Sequence, residues 1–205
     1  DAWVSSRYAS LQDLPQGAVV GTSSLRRVAL LRAMRPDLKI EPLRGNLDTR
    51  LRKLDEGLYD GIVLAAAGLK RLGLASRIRS TFAVEQMLPA AGQGALGIEV
   101  RSGRDDVRTA LQHLAHQPTW FAVAAERAVS RMMGGSCSMP LAAYATLEGA
   151  QLHIRAAWGD AEGQHPLVTA QAQGVVHSLA DATALGEQVA QQLQAGVQAL
   201  PPNGV

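Results

Sequence analysis

The sequence predicts an α/β domain followed by a smaller α+β domain. Strand-like and helix-like segments alternate between residues 16 and 73, which favours right-handed crossovers and a parallel-type sheet with helices on both faces. After residue 140, three strand-like segments follow one another with glycine-containing turns between them, which favours a three-stranded antiparallel sheet. The 205 residues are enough for two such domains.

Three strand and helix pairs build the first domain. The strands are short apolar runs, and the helices begin near residues that can cap them and end at a proline or a glycine. The predicted bounds are strands at residues 18–20, 39–43 and 60–65, and helices at residues 24–35, at residues 46–57 and ending at residue 73. On the first helix, Leu25, Val28, Leu31 and Met34 recur every three residues, so we expect this face to be buried.

A connecting stretch and a second domain follow. Gln117 and Pro118 can open a long helix, and Ser178 can cap the last helix. The predicted bounds are a strand at residues 95–100, helices at residues 105–114 and 117–133, strands at residues 141–147, 151–158 and 167–173, and a helix at residues 178–200.

The composition is typical of a soluble globular protein, with 47% hydrophobic and 19% charged residues. No apolar run approaches the roughly 20 residues that a membrane-spanning helix needs, and no basic-then-apolar leader is visible. The single cysteine, Cys137, excludes an intrachain disulfide and argues against a zinc finger. We therefore expect a cytoplasmic protein that does not bind a membrane.

The basic residues are unevenly distributed along the chain. Residues 1–108 hold 17 basic and 12 acidic residues, whereas residues 109–205 hold 3 and 6, so the net charges are +5 and −3. Of the 20 basic residues, 17 are arginine, whose planar fork suits carboxylate and phosphate groups. This pattern favours an anion site in the first half of the chain, although a genome rich in arginine codons would also produce it.

Three junctions between a strand and a helix each carry basic residues. The first is Gly21–Arg27, the second holds Arg44 and Arg50, and the third is followed by Lys70 and Arg71. Helix N-termini attract anions, and in a parallel sheet they open at one edge. We therefore predict a small polyanionic ligand at this edge; solvated arginines on an outer helix face are the alternative. Nucleic acid is less favoured, because aromatic residues are scarce and no basic run exists.

Cys137 lies in a loop flanked by glycine and serine rather than in an apolar stripe. A lone cysteine is usually a small buried hydrophobe, but this placement favours a reactive thiol. His113 and His116 form the only pair of histidines with ligand-like spacing, and we interpret them as surface residues. No metal site is predicted.

Together these motifs resemble the hydroxymethylbilane synthase family, also called porphobilinogen deaminase. The matching runs occur in the family's order and are residues 20–27, 43–46, 49–51, 64–73, 88–99, 125–127 and 134–137. The resemblance covers nearly the whole chain and weakens after about Ala145. It implies the head-to-tail condensation of four porphobilinogen molecules, with loss of ammonia, in tetrapyrrole (haem) biosynthesis.

The resemblance also implies site residues. The family builds its product on a dipyrromethane primer bound by thioether to a cysteine, which here would be Cys137. The residues expected to bind carboxylates of the primer and substrate are Thr22, Ser24, Arg26, Arg27, Arg44, Arg50, Arg71 and Gln93.

The chain departs from the family's pattern in one respect. The family has three domains. The resemblance implies that residues 1–90 form the second domain, a lobe like half of a periplasmic binding protein, and that residues 115–205 form the third. It also implies that residues 91–114 are a crossover segment belonging to the first domain. The first domain's catalytic aspartate lies in a His-Ser-Met-Lys-Asp motif that this chain lacks. We therefore expect a fragment that is inactive alone. The family is monomeric, but an exposed strand near Ala95–Val100 is expected to allow self-association.

Two other functions stay open. The chain could be a non-catalytic module that binds polycarboxylates, which would have no use for the thiol of Cys137. A nucleic-acid binder would show an affinity that depends strongly on salt.

Overall fold

The computed structural model describes residues 1–135 and 139–201. The strands are β1 (Ala2–Val4), β2 (Val19–Gly21), β3 (Lys39–Glu41), β4 (Gly61–Leu64), β5 (Ser80–Thr81), β6 (Leu141–Glu148), β7 (Gln151–Trp158) and β8 (Val168–Val175). The α-helices are α1 (Leu25–Met34), α2 (Leu47–Asp55), α3 (Ala66–Arg71), α4 (Asp105–Leu111), α5 (Gln117–Met132) and α6 (Leu179–Gln198). No helix in these ranges is long and apolar enough to cross a membrane.

The first sheet has five strands in the order β3-β2-β4-β1-β5. Its strands β3, β2 and β4 are parallel, as the alternating pattern predicts. The prediction of a parallel sheet is nevertheless wrong for the whole, because β1 pairs antiparallel with both β4 and β5. The three residues of β1 lie before the alternating segments and are too few to show a periodicity, so local pattern does not reveal this strand.

Helices cover both faces of this sheet. One face packs on α1 through Trp3, Val20, Val63, Leu30 and Leu31. The other face packs on α2 and α3 through Ala2, Ile62, Leu64, Leu51, Leu54 and Leu69.

The buried face of α1 differs from the predicted one. Its buried residues are Arg26, Ala29, Leu30 and Leu31, whereas Leu25, Val28 and Met34 are only partly buried. The periodic signal identified the helix correctly but misplaced its inner face by about one residue. The difference matters for the site, because it turns Arg26 inward.

The second sheet consists of β6, β7 and β8 in antiparallel order, as predicted. Helices α5 and α6 pack together with this sheet in a core that includes Leu152, Ile154, Val129 and Leu193. Ser178 caps α6 in a reciprocal capping box with Asp181, which satisfies two backbone donors at the helix start.

The predicted strand at residues 95–100 is absent, since none of these six residues belongs to a strand. The alternation of apolar residues is present, but a strand also needs a partner, and no described strand pairs with this segment. Leu96 and Ile98 are consequently 80% and 58% exposed. The helix predicted at residues 105–114 is α4 followed by a 3-10 turn at Gln112–Leu114.

Glu126 connects Gly92, which lies between the two sheets in sequence, to strand β6 of the second sheet. Its carboxylate is buried in α5 and accepts hydrogen bonds from the backbone N–H groups of Gly92 at 2.6 Å and Ala145 at 2.8 Å. Burial raises the pKa of Glu126, and the two backbone donors oppose this effect. Residues 88–93 also lie beside the N-terminus of α1, because Arg26 in that helix contacts both Leu88 and Gln93; the candidate site begins there.

Candidate carboxylate-binding site

The turn between β2 and α1 is held in place by backbone and hydroxyl contacts. The buried Thr22 donates its N–H to the Glu41 carbonyl at 3.0 Å, and its Oγ1 accepts from the Ser24 N–H at 3.3 Å. Ser23 donates its hydroxyl to the Leu43 carbonyl at 2.9 Å, which joins the first junction to the second. Ser24 takes the N-cap position, but its side chain makes no capping hydrogen bond. Its hydroxyl is therefore available to a ligand.

Arg26 is a buried cation in the first turn of α1 and is only 4% exposed. Its guanidinium donates from Nη1 to the Leu88 carbonyl at 2.7 Å and from Nη2 to Oε1 of Gln93 at 3.1 Å. These bonds position Gln93 against Arg26. The alternative of solvated arginines on an outer face is therefore wrong for Arg26.

Asp1 is the counter-ion of both arginines and was not predicted from the sequence. Its fully buried carboxylate accepts from Nε and Nη2 of Arg27 at 2.9 and 2.6 Å and lies 2.8 Å from Nη2 of Arg26. Arg27 also donates from Nη1 to the Val63 carbonyl at 3.2 Å. Because β1 runs antiparallel to β4, Asp1 precedes β1 at the edge where β4 ends.

Burial shifts both guanidinium groups in the same direction. It lowers the pKa of Arg26 to about 9, with a further lowering from the charge of Arg27. Burial likewise lowers the pKa of Arg27 to about 10. Both groups remain protonated at neutral pH, so the pair presents positive charge to whatever lies beside it.

A cavity of about 450 Å³ opens beside this pair. The basic and hydroxyl side chains that line it are those of Ser23, Ser24, Arg26, Arg27, Arg50 and Ser130. Arg50 is oriented by a hydrogen bond of 2.8 Å from its Nε to the Gly45 carbonyl, which leaves its outer nitrogens for a ligand. The arrangement can bind carboxylates through charged and neutral donors.

The lining of the cavity also includes residues on both sides of positions 136–138. Gly135 and Met139, the described residues that flank these positions, both belong to it. Cys137 itself lies outside the described residues. Arg26, Arg27 and Arg50 therefore share one cavity with the described residues that precede and follow positions 136–138.

The structure brings together some of the eight predicted binding residues and not others. Ser24, Arg26, Arg27 and Arg50 line the cavity, while Thr22 and Gln93 support it through the contacts given above.

Arg44 and Arg71 are exposed and do not line it. Arg71 is the last residue of α3 and so lies more than a turn from the start of that helix at the sheet edge. Among the described residues, no group of three histidine, cysteine, aspartate or glutamate side chains could hold a metal ion.

Comparisons with known proteins match both parts of the chain. Residues 1–109 match the family model "Porphobilinogen deaminase, dipyromethane cofactor binding domain", and residues 120–195 match "Porphobilinogen deaminase, C-terminal domain".

Among curated relatives, the porphobilinogen deaminase of Albidiferax ferrireducens is 71% identical over 199 residues, and that of Burkholderia thailandensis is 58% identical over 194. These alignments cover 97% and 95% of this chain. The chain spans 63% and 59% of the length of these two relatives.

Proposed function

Because the chain belongs to the porphobilinogen deaminase family, we propose that it serves the head-to-tail condensation of four porphobilinogen molecules, with loss of ammonia, in tetrapyrrole (haem) biosynthesis. The reaction class is a transferase, and the expected product is hydroxymethylbilane. The substrate is a pyrrole that carries acetate and propionate groups, so every added unit brings two negative charges.

The observation that carries this proposal is the cavity shared by the arginine cluster and the flanks of the cysteine loop. Arg26, Arg27 and Arg50 offer charged donors that suit the carboxylates of a pyrrole chain. The family's cofactor is a dipyrromethane, and when bound through Cys137 it supplies the anchored pyrrole to which further units are joined. The buried Nε of Arg26 fits such a group, because it is a donor without an acceptor in the described residues.

Each residue has a definable part in this arrangement. The Cys137 thiolate is the group that captures a carbon electrophile, which is what porphobilinogen becomes when it loses ammonia. Ser24 and Arg50 bind and orient carboxylates, and Gln93 holds Arg26 in place through its amide oxygen. Thr22 fixes the backbone of Ser24. We propose that Arg44 and Arg71, which are exposed and outside the cavity lining, bind carboxylates of pyrrole units that lie farther from Cys137.

We further propose that residues 1–205 do not turn over porphobilinogen by themselves. The family's His-Ser-Met-Lys-Asp motif does not occur in this sequence, and none of the described residues that line the cavity carries a carboxylate. Nothing on the described wall can therefore protonate the departing amine or stabilise a pyrrole cation.

The proposal is tested by replacing Cys137 with serine. We expect the intact mass of the chain, co-expressed with the part of a family member that carries the His-Ser-Met-Lys-Asp motif, to exceed that of the polypeptide by one dipyrromethane, and the Cys137→Ser variant to carry no adduct. Ser136→Ala is the matched control and should keep the adduct. Porphobilinogen binding, measured by calorimetry, should still be detectable for the Cys137→Ser variant, because its arginine cluster is unchanged.

Two outcomes would decide against the enzymatic role. An adduct that survives Cys137→Ser would exclude this cysteine as the attachment point. An unsubstituted chain that binds porphobilinogen but never carries an adduct would favour the alternative, a non-catalytic polycarboxylate-binding module.

Self-association of this chain is a further proposal. Leu96, Ile98, Leu114 and Trp120 are exposed large apolar side chains, and they line one groove beside the unpaired segment 95–100. Contiguous exposed apolar surface of this kind favours association. We propose a second copy of the chain as the partner in solution. We also propose that residues 1–90 and 115–205 form two domains and that residues 91–114 are a crossover segment belonging to the family's first domain.

Sedimentation velocity tests this surface. We expect a concentration-dependent dimer that Ile98→Glu converts to monomer, whereas Leu72→Glu, on a separate and 61% exposed side chain, leaves the dimer intact. A chain that is monomeric at every concentration would contradict the proposal.

We also propose a cellular location for the protein and a fold type for its first domain. We place the protein in the cytoplasm, as fits a chain with a single cysteine. The first lobe, with helices on both faces of a mixed sheet, is consistent with one half of a periplasmic-binding-protein-like fold.

A further inference from the structure

The carboxylate of Asp1 already occupies the arginine pair of the candidate site. It contacts Arg26 and Arg27 from behind the cavity, since both arginines line the cavity and Asp1 does not. The side chain of Asp1 is fully buried, so solvent does not share these contacts. A ligand carboxylate that enters the cavity therefore meets two guanidinium groups that already have an anion.

Both guanidinium groups use about half of their N–H donors within the protein. All three nitrogens of Arg27 donate within the protein, two of them to one oxygen of Asp1 and the third to Val63. Both outer nitrogens of Arg26 also donate within the protein. The described residues offer no acceptor to Nε of Arg26, and Oδ2 of Asp1 likewise makes no hydrogen bond within them. The Nε–H group of Arg26 and Oδ2 of Asp1 are thus a buried donor and a buried acceptor without a hydrogen bond in the described residues, and each outer nitrogen of the two arginines keeps a second N–H group.

We propose that Asp1 is a built-in competitor of the ligand: its carboxylate holds the arginine pair as a ligand carboxylate would, and ligand carboxylates bind there more weakly because of it. The proposal deepens the carboxylate-binding role proposed above and rests on it for the identity of the ligand. A site of this kind keeps a counter-ion for its two cations when no ligand is bound. It also releases carboxylates readily, which suits a product chain that must shift as each unit is added.

The expected sign of a substitution follows from charge. The side chains of Asp1, Arg26 and Arg27 together carry a net charge of +1, and removal of the Asp1 carboxylate raises this side-chain charge to +2. Two adjacent buried cations without a counter-ion destabilise the fold, because their desolvation is no longer compensated. An external carboxylate that fills the vacated space restores the balance. Loss of Asp1 should therefore lower stability and raise the affinity for anions.

Chemical rescue with formate tests the inference. Asp1→Ala removes one carboxylate group, and formate returns the same atoms. We expect Asp1→Ala to melt roughly 10 °C below the unsubstituted chain in sodium chloride, and to recover at least half of that loss in sodium formate of equal ionic strength. The matched control is Asp37→Ala, which breaks the partly exposed pair with Arg35 and should melt alike in both salts.

The same melting curves can overturn the inference. Equal melting of Asp1→Ala in formate and chloride would show that no carboxylate takes the place of Asp1. Equal recovery of Asp37→Ala would show a general effect of formate. If Asp1→Ala is too unstable to fold in chloride, folding in formate supports the inference, and failure in both salts overturns it.

A second measurement separates this inference from the proposed function. In calorimetry, porphobilinogen should bind Asp1→Ala about tenfold more tightly than it binds the unsubstituted chain, since one opposing charge is gone. Weaker binding to the variant would overturn the role of Asp1 as a competitor. If porphobilinogen binds neither protein while formate rescues Asp1→Ala, the proposed ligand is wrong and the self-occupied anion site stands.

Discussion

Replacing Arg26 with alanine is expected to remove about 3 kcal/mol from the free energy of unfolding and to weaken carboxylate binding at least roughly tenfold. The Leu88 carbonyl and the Gln93 amide lose a charged donor, and Asp1 keeps only one of its two cations. The stability loss should appear in urea unfolding and the affinity loss in porphobilinogen titration. Arg26 combines both roles because it is at once a buried structural cation and part of the cavity wall.

A matched control separates burial from charge. Arg52 forms an exposed pair with Glu56 one turn along α2, and exposed pairs contribute less than about 1 kcal/mol. Arg52→Ala should therefore change neither stability nor affinity appreciably. Equal effects of Arg26→Ala and Arg52→Ala would mean that the buried contacts of Arg26 do not govern the site.

Gly186→Ala is the substitution expected to disturb the second domain most. A Cβ atom at this position in α6 would lie 2.2 Å from the backbone oxygen of Ala125 and 2.9 Å from Cβ of Ala128, both in α5. A backbone oxygen cannot move aside unless the two helices separate. We expect a loss of about 3 kcal/mol in urea unfolding, even though alanine has the higher helix propensity.

Gly68→Ala is the control for this substitution. Gly68 also lies in a helix, α3, but its added Cβ would meet no atom within 4 Å. Alanine lowers the conformational entropy of the unfolded chain, so Gly68→Ala should raise the free energy of unfolding by about 0.5–1 kcal/mol. The two glycines thus differ in the sign of the effect, and a Gly186→Ala protein as stable as Gly68→Ala would contradict the close approach of α5 and α6.

Local patterns predicted most of the secondary structure. The strands of the second sheet and its two long helices lie within about two residues of their expected positions, because periodicity and caps such as Ser178 act over a few residues. The junction at Gly21–Arg27 was likewise visible as glycine, cap residues and arginines in sequence. The segment 95–100 shows the limit of the approach, since its alternation is real but no described strand pairs with it.

The sequence by itself determined the family, the alternation of strands and helices, the arginine-bearing junctions and the glycine- and serine-rich stretch around Cys137. Each of these features depends on residues that are close together in the chain. Only the tertiary structure decided that β1 inserts antiparallel beside β4, that Arg26 turns inward and that Asp1 becomes the counter-ion of the arginine pair. The physical reason is the large sequence separation between the residues that interact. A three-residue strand and a single aspartate carry no local signal, and their role arises from partners about 25 to 60 residues away that only the folded chain brings together.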